Sequence, residues 1–307
     1  MAGGQCDTPP DKYKKQIQKP RAGYFLEREN IFFKNKRHNN KGANMQLTLD
    51  FGLINDTKKD KTKSQIVLTL RDYEIIKFIL EMKYSTVEDI YLRYFKINSL
   101  GLESITNRSA YRRLQLLEEN GFLKSERNFI LNEKIYLATS KSYYLILNHF
   151  KSEIFISYPL KKIDHRTFEH DHLLVSIRYN LETIERIHSW MSDRYLKSKS
   201  DFNDLNAFNI IPDAIYTNLA GDKIAFELEL TQKSKDRYRS KIKSIVEYLR
   251  KIENKPKAFS KVRFMCKTKA IYESLNNELK LYSKYFQIEY LTTDSALLIN
   301  PRQNRKI

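Results

Sequence analysis

The sequence predicts a mixed α/β (α+β) fold in two parts: three helices closed by a β-hairpin, then a sheet with helices on both faces. Three observations predict it. Apolar residues recur at helical spacing between residues 65 and 120, and two strand-like runs follow Gly121. From about residue 166, helical and strand periods alternate in the order α-β-β-β-α-β-α-β. The chain has 307 residues, which at about 150 per domain leaves room for two domains.

Residues 1–64 read as a basic, solvated tail, with 14 Lys and Arg against seven Asp and Glu and no sustained period. Such an arm can also order along phosphates. Met45 opens a more apolar piece, MQLTLDFGLI, read as a short strand or the start of the fold.

Residues 65–150 hold the helices and hairpin. Thr69 and Asp72 have capping-box spacing, and Tyr73, Ile76, Ile79 and Leu80 follow on one face. Ser85 and Glu88 have the same spacing and open a short helix to about Phe95. A third helix spans about Asn107–Asn120, with Gly121 as its stop. FLKSERNFILNEKIYLA then reads as two strands around a polar turn, and Thr139 or Ser140 caps a helix over KSYYLILNHF. Helix, helix, helix, hairpin is the winged helix-turn-helix order.

The third helix carries the recognition chemistry. At 100° per residue Ala110, Leu114 and Leu117 share one side, and Arg108, Arg112 and Gln115 share the other. Arg suits the guanine edge in the major groove and Gln suits adenine. Tyr111 and Arg113 flank that side within reach of phosphates, and Lys124, Arg127 and Asn128 sit where a wing would touch the backbone. The alternative is an amphipathic helix with a solvated basic face.

Residues 151–300 form the second part. HRTFEHDHLLVSIRYNLETIERI reads as one helix over about 166–187, with Leu174, Ile177, Leu181, Ile184 and His170 on one row. RYLKSK reads as a first strand, 209–218 and 222–231 as the next two, and Ser234–Ile252 as a helix. KVRFMC, KAIYESLNNELKLYSKY and FQIEYLT complete the series as strand, helix and strand.

Asp213 follows a proline at the head of one strand, and Glu227 and Glu229 fall on one face of the next. Carboxylates gathered among apolar strand residues need compensation, and a divalent cation such as Mg²⁺ supplies it. Lys233 follows the acidic strand. Lys241 lies at the edge of the apolar row Tyr238, Ile242, Ile245 and Leu249, from where it can point back over the strands. The alternative pairs Glu227 and Glu229 with Lys233, Lys241 or Arg237 in a structural network.

Composition excludes several classes. Lys and Arg number 55 against 37 Asp and Glu, a net charge of +18, which makes a polyanion the leading partner. Mean hydropathy is −0.60 and no apolar run approaches the ~18 residues of a membrane span, so no membrane partner is expected. The start MAGGQCDTPPDKYKK lacks an apolar core, so no secretory signal is read there. Cys6 and Cys266 are too few and too far apart for a disulfide scaffold and fit a reducing cytoplasm. No phosphate-loop or dinucleotide glycine motif occurs. His170 and His172 fall on different helix faces, which argues against zinc.

The segments SAYRRLQLLEENGFLKS, KIYLATSKSYYLI, FEHDHLLVSIRYNLE, IIPDAIYTN and IAFELELTQKSKDRYRSKIKSIVEYL together resemble the replication-relaxation family of plasmids and mobile elements, over about residues 65–295. The second half also resembles the restriction-endonuclease-like fold, whose motif is PD…(D/E)-x-K, here Pro212-Asp213 and Glu227-Leu228-Glu229. The resemblance implies that Asp213 and Glu227 hold a metal, Mg²⁺. Glu229 stands where Lys is usual. Some nucleases of this fold carry Glu in that slot, and others move the Lys to the following helix, where Lys241 sits. His170 matches the family's pattern in the first helix. The resemblance also implies a relaxase or replication initiator as partner.

The leading expectation is a double-stranded-DNA-binding protein of a plasmid or mobile element, acting in replication or mobilisation. One alternative is an active Mg²⁺-dependent endonuclease targeted by the winged helix, with Asp213, Glu227, Glu229 and Lys241 as its catalytic set. Another is a transcriptional regulator whose C-terminal domain is inactive and dimerises. Winged-helix proteins often pair on two-fold sites, so a homodimer is expected as well.

Overall fold

The computed structural model describes residues 66–97, 101–104, 106–128, 132–150, 154–251 and 258–291. The expected basic tail and the piece after Met45 lie outside them. The molecule is mixed α/β, with helices and two sheets. Ile97 and residues 101–103, joined by a bridge between Ile97 and Glu103, fall in a separate unit from the other described residues.

Helix α1 is Leu70–Met82. Its start is fixed by the Thr69 backbone N–H and hydroxyl, which both donate to Asp72 Oδ2 at 2.6 and 2.7 Å. Its last turn runs into Lys83, a non-glycine residue at φ +80°. Strand β1, Ser85–Thr86, leads into helix α2, Val87–Tyr94. Here the capping box falls one residue later than expected. Thr86 and Asp89 form it, with the Thr86 N–H and hydroxyl both donating to Asp89 Oδ2 at 2.9 and 2.8 Å.

Helix α3, Arg108–Glu119, has Ala110, Leu114 and Leu117 fully buried, and Gly121 beyond it adopts φ +71°. Strands β2, Leu123–Asn128, and β3, Glu133–Ala138, pair antiparallel from Leu123 opposite Ala138 to Asn128 opposite Glu133. The sheet order is β1-β3-β2, which leaves β2 at an edge. Helix α4, Ser140–Phe150, follows.

Helix α5, Phe168–Asn180, continues as a π-helical turn, Leu181–Glu185, which Arg186 ends at φ +55°. The expected single helix over 166–187 is thus shorter, and Ile184, expected on its apolar row, is 66% exposed because the wider turn rotates it outward. Strand β4 is His188–Ser192, and the expected strand RYLKSK is instead helix α6, Asp193–Ser198. In RYLKSK only Leu196 is buried, so it has no alternating apolar face, whereas Trp190 and Met191 bury in β4. A short helix α7, Asn203–Ala207, precedes strands β5, Ala214–Thr217, and β6, Lys223–Glu229. Helix α8, Lys235–Lys251, strand β7, Lys261–Cys266, helix α9, Lys269–Leu279, and strand β8, Phe286–Tyr290, complete the chain.

The second sheet runs β4-β5-β6-β7-β8, antiparallel across β4 to β6 and parallel from β6 to β8. One face packs Ile215, Val262 and Phe264 against Ile242, Ile245 and Leu275 of α8 and α9. The other places Trp190 and Phe226 in one core with Leu174 of α5, Ile76 of α1 and Leu114 of α3. The apolar core therefore crosses the expected boundary between residues 150 and 151.

Candidate functional site

Two surfaces gather the residues that the sequence singles out. On α3, the burial of Ala110, Leu114 and Leu117 turns Arg108, Tyr111, Arg112 and Gln115 to solvent. Among the described residues Arg108 and Arg112 form no ion pair. Gln115 donates to Glu119 Oε1 at 3.0 Å.

Arg113 departs from expectation. Its Nε donates to Asp72 Oδ1 at 2.7 Å, and its Nη2 reaches Asp72 Oδ2 and, at 2.9 Å, the Val67 carbonyl. Asp72 is fully buried, so this guanidinium neutralises a core carboxylate and is not offered to phosphate. On the hairpin, Arg127 is exposed, Lys124 donates to the Lys161 carbonyl, and Asn128 is buried, which removes Asn128 from the expected backbone contacts.

The second surface is an acidic centre. Asp213 stands one residue before β5, opposite Glu227 when the pairing of Ala214 with Phe226 is extended. Glu227 and Glu229 share the α8 face of β6 and are both almost wholly buried. Lys241 of α8 reaches Glu227 Oε2 at 2.8 Å and Glu229 Oε1 at 3.7 Å. Lys233 reaches Glu229 Oε2 at 2.6 Å. Arg237, the third cation expected here, is exposed. Asp213 Oδ2 accepts the Leu228 N–H at 2.8 Å and lies 3.2 Å from His170 Nε2.

The charges set one another. Burial pushes the Glu227 carboxyl up, to about 7; the neighbouring Asp213 and Glu229 add to this and Lys241 opposes it. Burial also works against the Asp213 carboxylate, yet the His170 hydrogen bond and charge and the Leu228 N–H hold its pKa below the ordinary value. Burial disfavours charge on His170, but Asp171 and Asp213 outweigh it and raise its pKa to about 10. The ring is an imidazolium at neutral pH.

Three residues that sequence reasoning passed over complete the centre. Lys83 reaches Asp171 Oδ1 at 2.7 Å and Asp193 Oδ1 at 3.4 Å, and the Asp193 N–H donates to the Asp213 carbonyl at 2.9 Å. A small cavity opens among Lys83, Asp171, Trp190, Ser192, Asp193 and Asp213. Lys83 and Asp171 are 88 residues apart, and no local signal joins them.

Magnesium takes oxygen donors, and Asp213 with Glu227 supplies two carboxylates on neighbouring strands. Both carboxylates already have protein partners, Asp213 in the Leu228 N–H and His170 and Glu227 in Lys241, so an ion here would take the place of, or share, these contacts. Among the described residues no three His, Cys, Asp or Glu side chains converge as a metal-binding group. His172, discounted above as a zinc ligand, stacks on Phe168.

Comparison of the chain with protein-family models, curated proteins and solved structures gave no match. No helix among the described residues is long and apolar enough to cross a membrane.

Proposed function

We propose that this chain is a sequence-guided binder of duplex DNA belonging to a plasmid or mobile element and acting in its replication or mobilisation. On this reading residues 65–150 are a winged helix and the five-stranded half is a restriction-endonuclease-like domain that engages DNA. A relaxase or replication initiator, and a second copy of the chain, are the proposed protein partners. The family resemblance supports the biological setting.

The observation that carries the proposal is the division of α3. One side is wholly buried, and the other offers Arg108 and Arg112 without ion-pair partners among the described residues. Guanidiniums held this way on a rigid helix suit guanine edges in the major groove. Selection of a site from randomised duplexes, followed by titration, tests it. Arg112→Ala weakens binding to the selected site by about 1–3 kcal/mol and relaxes specificity at one position. Wild-type affinity falls steeply with salt. A flat salt titration, or unchanged binding by the variant, refutes the reading.

The gathering of Asp213, Glu227, Glu229 and Lys241 in one centre favours a second reading, a Mg²⁺-dependent endonuclease. Asp213 and Glu227 would hold the ion, which stabilises charge on a phosphodiester and acidifies an attacking water when bound. The chain's own residues have separate tasks. His170 and the Leu228 N–H fix the Asp213 carboxylate, and Lys241 steadies Glu227 against its buried neighbours. Incubation of supercoiled plasmid bearing the selected site with Mg²⁺ or Mn²⁺ decides. Cutting by the wild type and by neither Asp213→Asn nor Glu227→Gln selects the enzyme. No cutting selects a binder or regulator with an inactive second domain.

A further inference from the structure

We propose that the loop joining the two halves, residues 160–166, is a docking surface for the DNA sugar-phosphate backbone, extending the duplex path from the hairpin toward the acidic centre. This rests on the duplex-binding reading above and adds a contact surface that neither α3 nor the hairpin supplies.

The loop is pinned. Ile163 is 3% exposed and packs with Tyr84, Ile135, Leu137 and Phe168. Its N–H donates to Glu126 Oε2 at 3.2 Å, and the Lys161 carbonyl accepts from the Lys124 ammonium. Both ties hold the loop against β2, the edge strand of its sheet. With the middle anchored, Lys161, Lys162 and Arg166 remain exposed on either side of Ile163. Cations carried on an anchored segment lose less freedom on binding than cations on a mobile one.

The local balance leaves positive charge unspent. Glu118 is balanced by Lys134 and Asp164 by Arg166 at 2.9 Å, and Glu126, held by the uncharged Ile163 N–H, is offset in the local count by Lys124, which donates to the Lys161 carbonyl. Lys161, Lys162 and, on the hairpin, Arg127 form no ion pair among the described residues. Lysines without protein carboxylates carry solvent counter-ions, which a phosphate row displaces.

Position gives direction. On one side, Ser125 of β2 touches Glu118 of α3; on the other, Glu126 holds the loop. Beyond the loop, Thr167 precedes α5, whose His170 touches Asp213. Lys161 and Lys162 therefore lie in the loop held to the Lys124 and Glu126 face of β2, on the chain path from the hairpin to α5, while Arg127 falls on the opposite face with Ser125.

The test uses the full chain and a duplex selected by it, with Kd measured across a salt series. The variant Lys161→Gln/Lys162→Gln reduces the slope of log K against log salt by about 2, at roughly 0.9 per phosphate contact, and weakens binding several-fold near 0.15 M salt. Arg127→Gln reduces the slope by about 1 on its own. Its position on the hairpin makes it an independent check. A charge-matched control on α8, Lys243→Gln/Lys251→Gln, changes the slope far less. All of these side chains are exposed, so the melting temperature stays at the wild-type value. An unchanged slope in the loop variant, while the wild type binds and Arg112→Ala binds more weakly, overturns the loop assignment alone. Equal losses in loop and control variants overturn it by showing a net-charge effect. Tighter lysine-dependent binding to an RNA duplex of the same sequence overturns the choice of partner. A wild type that binds no duplex at any salt overturns this inference together with the reading on which it rests.

Discussion

Arg113 shows how one residue can change role between sequence and structure. On a helical wheel it flanks the basic face of α3. In space it belongs to Asp72, 41 residues away, and that distance hides the pair from any local pattern. Arg113→Ala leaves a buried carboxylate short of its main donor and lowers stability by about 2 kcal/mol, read from urea unfolding at neutral pH. Arg113 also helps hold the Asp72 carboxyl below its ordinary value of 3.8, against the opposing effect of burial. This stability is present above that value and is lost as pH falls through the lower folded-state value, so the variant has the shallower acid limb. Glu227 has the opposite sign. Its folded-state value of about 7 lies above the ordinary 4.5, so the folded chain resists the ionisation that the unfolded chain undergoes. Stability falls as pH rises from about 4.5 to about 7, and urea midpoints of Glu227→Gln stay flatter over that range. The centre itself was half legible. The period of two predicted the shared face of Glu227 and Glu229, and the helical period put Lys241 beside them. Lys83, Asp171 and Asp193 arrive through tertiary packing alone.

At the scale of elements, periodicity served wherever one face of an element is buried and the other wet. The hairpin, α3, β6 and α8 all have such faces and were readable to within a residue or two, whereas β5, expected over 209–218, is the shorter Ala214–Thr217. RYLKSK misled because a segment of six residues holds too few apolar positions to separate a period of 2 from one of 3.6. The start of α2 misled because Ser85 and Thr86 each have a hydroxyl and an acidic residue three positions on, Glu88 and Asp89, and no local pattern chooses between the two pairs. Thr86→Ala therefore costs about 1 kcal/mol of stability by thermal or urea melt, as the loss of an N-cap does. The π-helical turn after α5 has no sequence signature that we can identify.

For the whole molecule, the sequence separates the two parts and the packing joins them. Ile76, Leu114 and Tyr136 from the first part share a core with Leu174, Trp190 and Phe226 from the second. A fragment ending near residue 150 exposes this surface. The described part of the chain is expected to unfold in one transition, with circular dichroism and tryptophan fluorescence at Trp190 reporting the same midpoint. Two separate midpoints would contradict the shared core.

Lys83 shows what such joining demands. A residue at φ +80° would be more comfortable as glycine, by roughly 1 kcal/mol. Glycine there would also strip the ammonium from between Asp171 and Asp193, and two carboxylates would then face each other beneath the acidic centre. The electrostatic loss outweighs the relief of the backbone. The sequence has accepted a bent main chain at this corner to keep a cation where the first part meets Asp171 and Asp193 of the second.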